Sequence, residues 1–214
     1  MSTALTAEIA AAAARLVVEE GMEYGAAKRR AARVLGKHRP ADLPGNDEIE
    51  DEVRAYLTLF CADTQPAELA ALREVAAQWM ARLAPFRPHL TGAVWRGTAR
   101  LAPFRPHLTG AVWRGTATRL SNVHLQLYCD DSKATELALI DLGVAYEVGS
   151  LPGPRGDPVD VLSVVSPSRA LGETVTVHLT ILDHDDLRGA LKPDARGRSQ
   201  RGDLAALRAL MEDA

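Results

Sequence analysis

The chain has 214 residues, enough for one large domain or two small ones. Its 47% hydrophobic content can fill a core, and its 25% charged content excludes a membrane protein or a long disordered one. A formal net charge of -3 gives no general attraction to nucleic acid or anionic membranes, and two cysteines, Cys61 and Cys129, suit a reducing, cytoplasmic setting without a disulfide framework.

The opening run, MSTALTAEIAAAAARLVVEEG, is apolar but has no basic leader and carries Glu8, Glu19 and Glu20. It reads as a mature helix from about Thr6 to Gly21, and no apolar run reaches the length a membrane span needs. A second helix is predicted from Tyr24 to Leu35, stopped by Gly36, and Lys37 to Asn46 is a Pro/Gly loop. The basic residues Lys28, Arg29, Arg30, Arg33, Lys37, His38 and Arg39 have no aromatic platform among them and read as a solvated face. Ile49, Val53, Tyr56, Leu57 and Phe60 share one face of a third helix. Leu69, Leu72, Val75, Ala76, Trp79, Met80 and Leu83 share one face of a fourth, closed by Pro85 and Pro88.

Residues 81–98, ARLAPFRPHLTGAVWRGT, are repeated without a difference at 99–116. Two identical copies are unlike the diverged units of a solenoid and indicate a tandem duplication. Only one copy can take the native place. The copy adjoining Ala117 is expected to do so, since it runs directly into the strand that follows.

Beyond the repeat the pattern turns to strands. Val123, Leu125 and Leu127 alternate with His124, Gln126 and Tyr128. Asp130, Asp131 and Ser132 offer N-cap chemistry for a helix from Lys133 to Leu142. Strands are predicted at 144–149, 158–165 and 174–182, and a last helix carries Leu204, Leu207, Leu210 and Met211 with Asp203 near its start. Residues 183–198 read as a surface loop in which Arg188, Lys192 and Arg196 can meet an anion. The fold class is α+β: a helical region, 1–84, followed by a small mixed-sheet core, 85–214, that contains the duplication.

Residues 108–127, LTGAVWRGTATRLSNVHLQL, resemble the signature of the nucleotidyltransferase superfamily, the DNA polymerase beta-like fold. That signature runs through a strand, a Gly-Ser turn, an Arg-Gly pair and Ser-Asp-x-Asp on the next strand. Gly110 falls on the turn glycine, Arg114 and Gly115 on the Arg-Gly pair, and Ser121 on the serine before the carboxylates. The resemblance implies nucleotide binding by Gly110, Ala111, Arg114, Gly115 and Ser121. It implies a catalytic set at Asn122, His124 and Asp160, with Asp160 standing for a third carboxylate from a later strand. Such enzymes use two metal ions held by carboxylates, so Mg2+ or Mn2+ with a nucleotide is the implied cofactor, bound through Asp160 and His124.

The chemistry departs from the signature at its centre. Ala111 replaces the turn hydroxyl, and Asn122 and His124 stand at the two carboxylate positions. Loss of two negative charges predicts a sharp loss of Mg2+ affinity, although His124, Asp160 and His178 together offer a set for zinc or manganese. The expectation is a nucleotidyltransferase-like protein, catalytically degenerate, that serves as a nucleotide-sensing or regulatory module with a protein partner. Two alternatives stay open: an active nucleotidyltransferase modifying a protein or small molecule, and an interaction scaffold that binds no nucleotide.

Overall fold

A computed structural model describes residues 2–36, 43–84, 104–129 and 132–213. Residues 37–42, where the sequence predicts a loop, the candidate caps Asp130 and Asp131, and the first repeat copy beyond Ala84 lie outside these residues. The architecture is α+β, with helices first and a mixed six-stranded sheet after them. No helix among the described residues is long and apolar enough to cross a membrane. Two compact units can be distinguished: Met1–Ala70 with Gly115–Ser121, and Ala71–Arg114 with Asn122–Ala214. Their boundary lies inside the fourth helix, whereas the composition had suggested its end.

The first unit is built on α1 (Ser2–Glu20), α2 (Tyr24–Val34) and α3 (Asn46–Phe60). Ile9, Ala10, Ala13, Ala14, Val17 and Val18 form the buried stripe of α1, against Ala27 and Ala31 of α2 and Ile49, Val53 and Leu57 of α3. Small residues on two of these helices let the backbones approach closely, which is why an alanine-rich opening becomes core. Gly36 takes a φ of 69°, the left-handed conformation that ends α2 as its position predicts. The backbone N–H of Gly45 donates to Glu48 Oε2 at 2.7 Å, half of a capping box at the start of α3.

Segment 115–121 is held to this unit by polar ties. Gln65 Nε2 donates to the carbonyls of Gly115 (3.2 Å) and Ala117 (3.0 Å), and the Arg119 N–H donates to Glu68 Oε2 at 2.9 Å. Gln65 and Glu68 belong to the first turn of α4 (Gln65–Leu83), which continues into the second unit.

In the second unit the second repeat copy supplies β1 (Arg105–Thr109) and α5 (Gly110–Arg114). There follow β2 (Val123–Tyr128), α6 (Ser132–Asp141), β3 (Tyr146–Pro152), β4 (Pro158–Ser168) and β5 (Glu173–Leu182). A 3-10 turn (His184–Asp186) leads to α7 (Leu187–Ala190), then β6 (Arg201–Gly202) and α8 (Leu204–Glu212). The sheet order is β3-β4-β5-β2-β1-β6, with β2 and β5 parallel and every other pair antiparallel. β3 is thus an edge strand.

Alternation sorts the sheet into two faces. Leu108, Val123, Leu125, Leu127, Val175, Val177, Leu179, Leu162 and Val164 are buried on one, the core face. α6 packs on β5, and α8 on β1 and β6. Arg73 of α4 is buried with its Nε donating to the Val112 carbonyl and its Nη1 to the Leu210 carbonyl, both at 3.4 Å. Burial lowers its pKa, and the two carbonyls belong to α5 and to the last turn of α8, where a cation is favoured.

Candidate functional site

The opposite face of the sheet is polar at its centre. Strand register places Arg201, Thr109, His124, His178, Ser163 and Glu147 in one line across all six strands. Residues directly opposite one another share a face, so these six side chains start from the same side. The His124 and His178 rings lie with centroids 5.1 Å apart, and Ser163 Oγ is 2.8 Å from His178 Nδ1. The next row holds His107, Gln126 and Thr180, and Tyr128 lies beyond Gln126 on the same strand.

Gly110 sits where β1 turns into α5, with a φ of 75°. A Cβ at this position would stand 3.4 Å from His124 Cδ2, so the turn glycine and the strand histidine are neighbours. Ala111 and Arg114 follow in α5, both half-buried, and Asn122 is half-buried one residue before β2. Thus Gly110 and His124 are neighbours, with Ala111 in the same turn.

Two other expected members fall in the other unit. Gly115 and Ser121 belong to the segment that packs with the first unit. There Ser121 Oγ accepts the Thr118 N–H at 3.1 Å while the Ser121 N–H donates to the Thr118 carbonyl at 2.8 Å. The serine hydroxyl closes a local turn.

Asp160 is the main correction. It was expected beside His124 on a metal, yet it lies on the core-face side of β4, with Leu162 and Val164. The β4 ladder runs unbroken, Ser163 is the residue in line with His178 and His124, and Asp160 is an odd number of residues away from it. An odd step on a strand reverses the side chain, so Asp160 and His124 project from opposite faces. Asp160 is exposed there, paired in register with Ser150. His178 takes the place flanking His124. Among the described residues no three His, Cys, Asp or Glu side chains are grouped to hold a metal ion. A pair of histidines and a serine is also the wrong donor set for Mg2+, which wants carboxylate oxygens.

The sequence does not single out Arg201, which the fold brings to the same face. Arg201 of β6 donates from Nη1 to Gln126 Oε1 at 2.6 Å and to the Tyr128 hydroxyl at 3.0 Å, while that hydroxyl donates to Gln126 Oε1 at 3.0 Å. Both of its partners are neutral. Tyr128 is fully buried and its pKa is raised, chiefly by that burial, with Arg201 pulling the other way. Arg201 is placed by residues 194–200: Thr109 Oγ1 donates to the Gln200 carbonyl at 3.0 Å, and Trp113 Nε1 to the Ser199 carbonyl at 2.8 Å. Of the loop cations expected to meet an anion, Arg188, Lys192 and Arg196 are all exposed. An Arg in the short motif RGD gives no sequence signal of its own, since its partners lie on a strand far earlier in the chain.

Compared with known proteins, the chain matches no family model, no curated protein and no solved structure.

Proposed function

We propose that the chain is a nucleotide-binding regulatory module that takes the phosphates of a nucleotide on the polar face of its sheet and does not transfer them by two-metal chemistry. The observation that supports this most is the line Arg201–Thr109–His124–His178–Ser163, which holds a guanidinium, two imidazoles and two hydroxyls and reaches a carboxylate, Glu147, only at the edge strand. A face of this kind favours an anion directly, whereas a metal-dependent site favours the cation first. The Gly110 turn beside His124 adds backbone that can approach a phosphate closely, as the resemblance to nucleotidyltransferases implies.

The reading is tested by calorimetric titration of nucleotide triphosphates into the full chain, with Mg2+ and again with EDTA. Binding in EDTA at least as tight as with Mg2+ is expected, and no turnover in either. Binding that requires Mg2+, or transfer to an acceptor, would restore the active-enzyme reading. Absence of binding under both conditions would leave the interaction scaffold.

A further inference from the structure

The C-terminal ends of α1 and α3 lie together, since the Tyr56 hydroxyl in the second half of α3 donates to Glu19 in the last turn of α1. A groove of about 510 Å³ runs between these two helices, within the first unit. Its two ends are unlike. Toward the C-terminal end stand Leu59, 73% exposed, and Phe60, 64% exposed, with the Phe60 ring 4.6 Å from that of Tyr56. Toward the N-terminal end the walls are small: Ala11 and Ala55 are exposed, and the exposed Ala7, one turn before Ala11, continues the same face.

The charges on the groove differ in the same sense. Arg15 lies one turn C-terminal of Ala11, and its tie to the exposed Glu19 is long, at 3.7 Å. Glu52 lies one turn N-terminal of Tyr56, half-buried and with no hydrogen bond or ion pair among the described residues. The Tyr56 hydroxyl is already committed to Glu19. An open groove with apolar walls and no converging polar groups suits a helix face better than a small polar ligand.

Unlike ends make this surface complementary to itself. A second copy related by a two-fold axis across the groove lays its helices antiparallel, so that each residue pair occurs twice. The bulky end of each copy then covers the alanine end of the other, where small side chains let helices approach closely. The same operation brings Arg15 of each copy toward the partner's Glu52, giving that carboxylate a cation. We infer that the α1–α3 face is the interface of a homodimer of this chain, with Leu59 and Phe60 as its apolar anchors and Arg15 and Glu52 fixing its antiparallel register. The inference is independent of the nucleotide reading.

The experiment is sedimentation equilibrium of the full chain, without nucleotide, from about 1 to 100 μM. A concentration-dependent shift from 23.0 kDa to twice that mass is expected. Leu59→Asp should weaken the dimer at least about tenfold. Arg15→Glu and Glu52→Arg should each weaken it severalfold, and the two together should recover it, because the reversed charges meet again across the two-fold. Leu59 and Arg15 are exposed, so circular dichroism of their variants at the lowest concentration should match the parent chain and separate association from folding. A chain that stays monomeric throughout overturns the inference. So does a dimer that Leu59→Asp leaves intact, or one in which the paired reversal is no tighter than either single change.

Discussion

Asp194 organises the stretch that presents Arg201. Its Oδ1 accepts from the N–H groups of Arg196 and Arg198 at 2.9 and 2.8 Å, and its Oδ2 from Arg198 Nε and Gln200 Nε2 at 3.2 and 2.6 Å. These bonds, led by the Arg198 N–H, hold its pKa below the ordinary 3.8. The stabilisation is therefore complete above pH 3.8 and is lost as the pH falls through the lower folded value. Acid titration followed by Trp113 fluorescence should show a transition below that pH, since Trp113 is bonded to Ser199 in this stretch. Asp194→Asn should remove that transition. A second residue-scale prediction concerns Gly202: a methyl group there would overlap the Trp113 ring, so Gly202→Ala should cost on the order of 1–3 kcal/mol in urea denaturation. At this scale the sequence was only half informative. Gly110 and His124 were legible because a turn glycine and an alternating strand are local patterns. Asp160 was misplaced because spacing alone does not give register, and one step of register decides which face a strand residue takes. Arg201 was invisible because Gln126 and Tyr128 reach it only through tertiary structure.

The helices and most strands stand close to where periodicity puts them, β2 at Val123–Tyr128 and α8 with Asp203 as its cap among them. Asp203 Oδ1 accepts from the Ala206 N–H at 2.9 Å, as the start signal foretells. α5 and β6 left no such trace, for five residues and two residues are too short for a period to show. β1 and α5 have another property that belongs to the element as a unit. Their sequence exists twice in the chain, since Leu90, Val94 and Trp95 occupy in the first copy the places of Leu108, Val112 and Trp113. Leu108 and Leu125 are both fully buried. Leu125→Ala should cost the usual 2–5 kcal/mol of a core truncation. Leu108→Ala should cost clearly less, because an undamaged copy can take the strand while the surplus residues move from before it to after it at little loop-closure cost. Leu90→Ala should be near neutral, and the Leu90→Ala/Leu108→Ala pair should recover the full loss. Equal urea midpoints for Leu108→Ala and the double variant would refute the redundancy.

For the whole molecule, the duplication adds apolar side chains for which the sheet has only one place. Removing residues 99–116 leaves one full copy and should raise the urea midpoint or reduce binding of a hydrophobic dye; coincident melts with unchanged dye binding would contradict this. The fold class was readable at this scale because composition and periodicity change together near the repeat. The division into units was not, since α4 is one uninterrupted helix and only tertiary ties such as Gln65 to Gly115 assign its first turn. The edge position of β3 carries a different consequence. All of its residues after Tyr146 are exposed, Val148 at 63%, and its outer side offers unpaired backbone donors and acceptors among the described residues. Such an edge can recruit a strand from a neighbouring molecule. Glu147 on the strand and Pro152 at its end limit that templating through charge and a missing N–H, so crowding should find this rim soluble but only narrowly guarded, and replacing Glu147 by an uncharged β-former should turn a protective margin into a nucleus for aggregation.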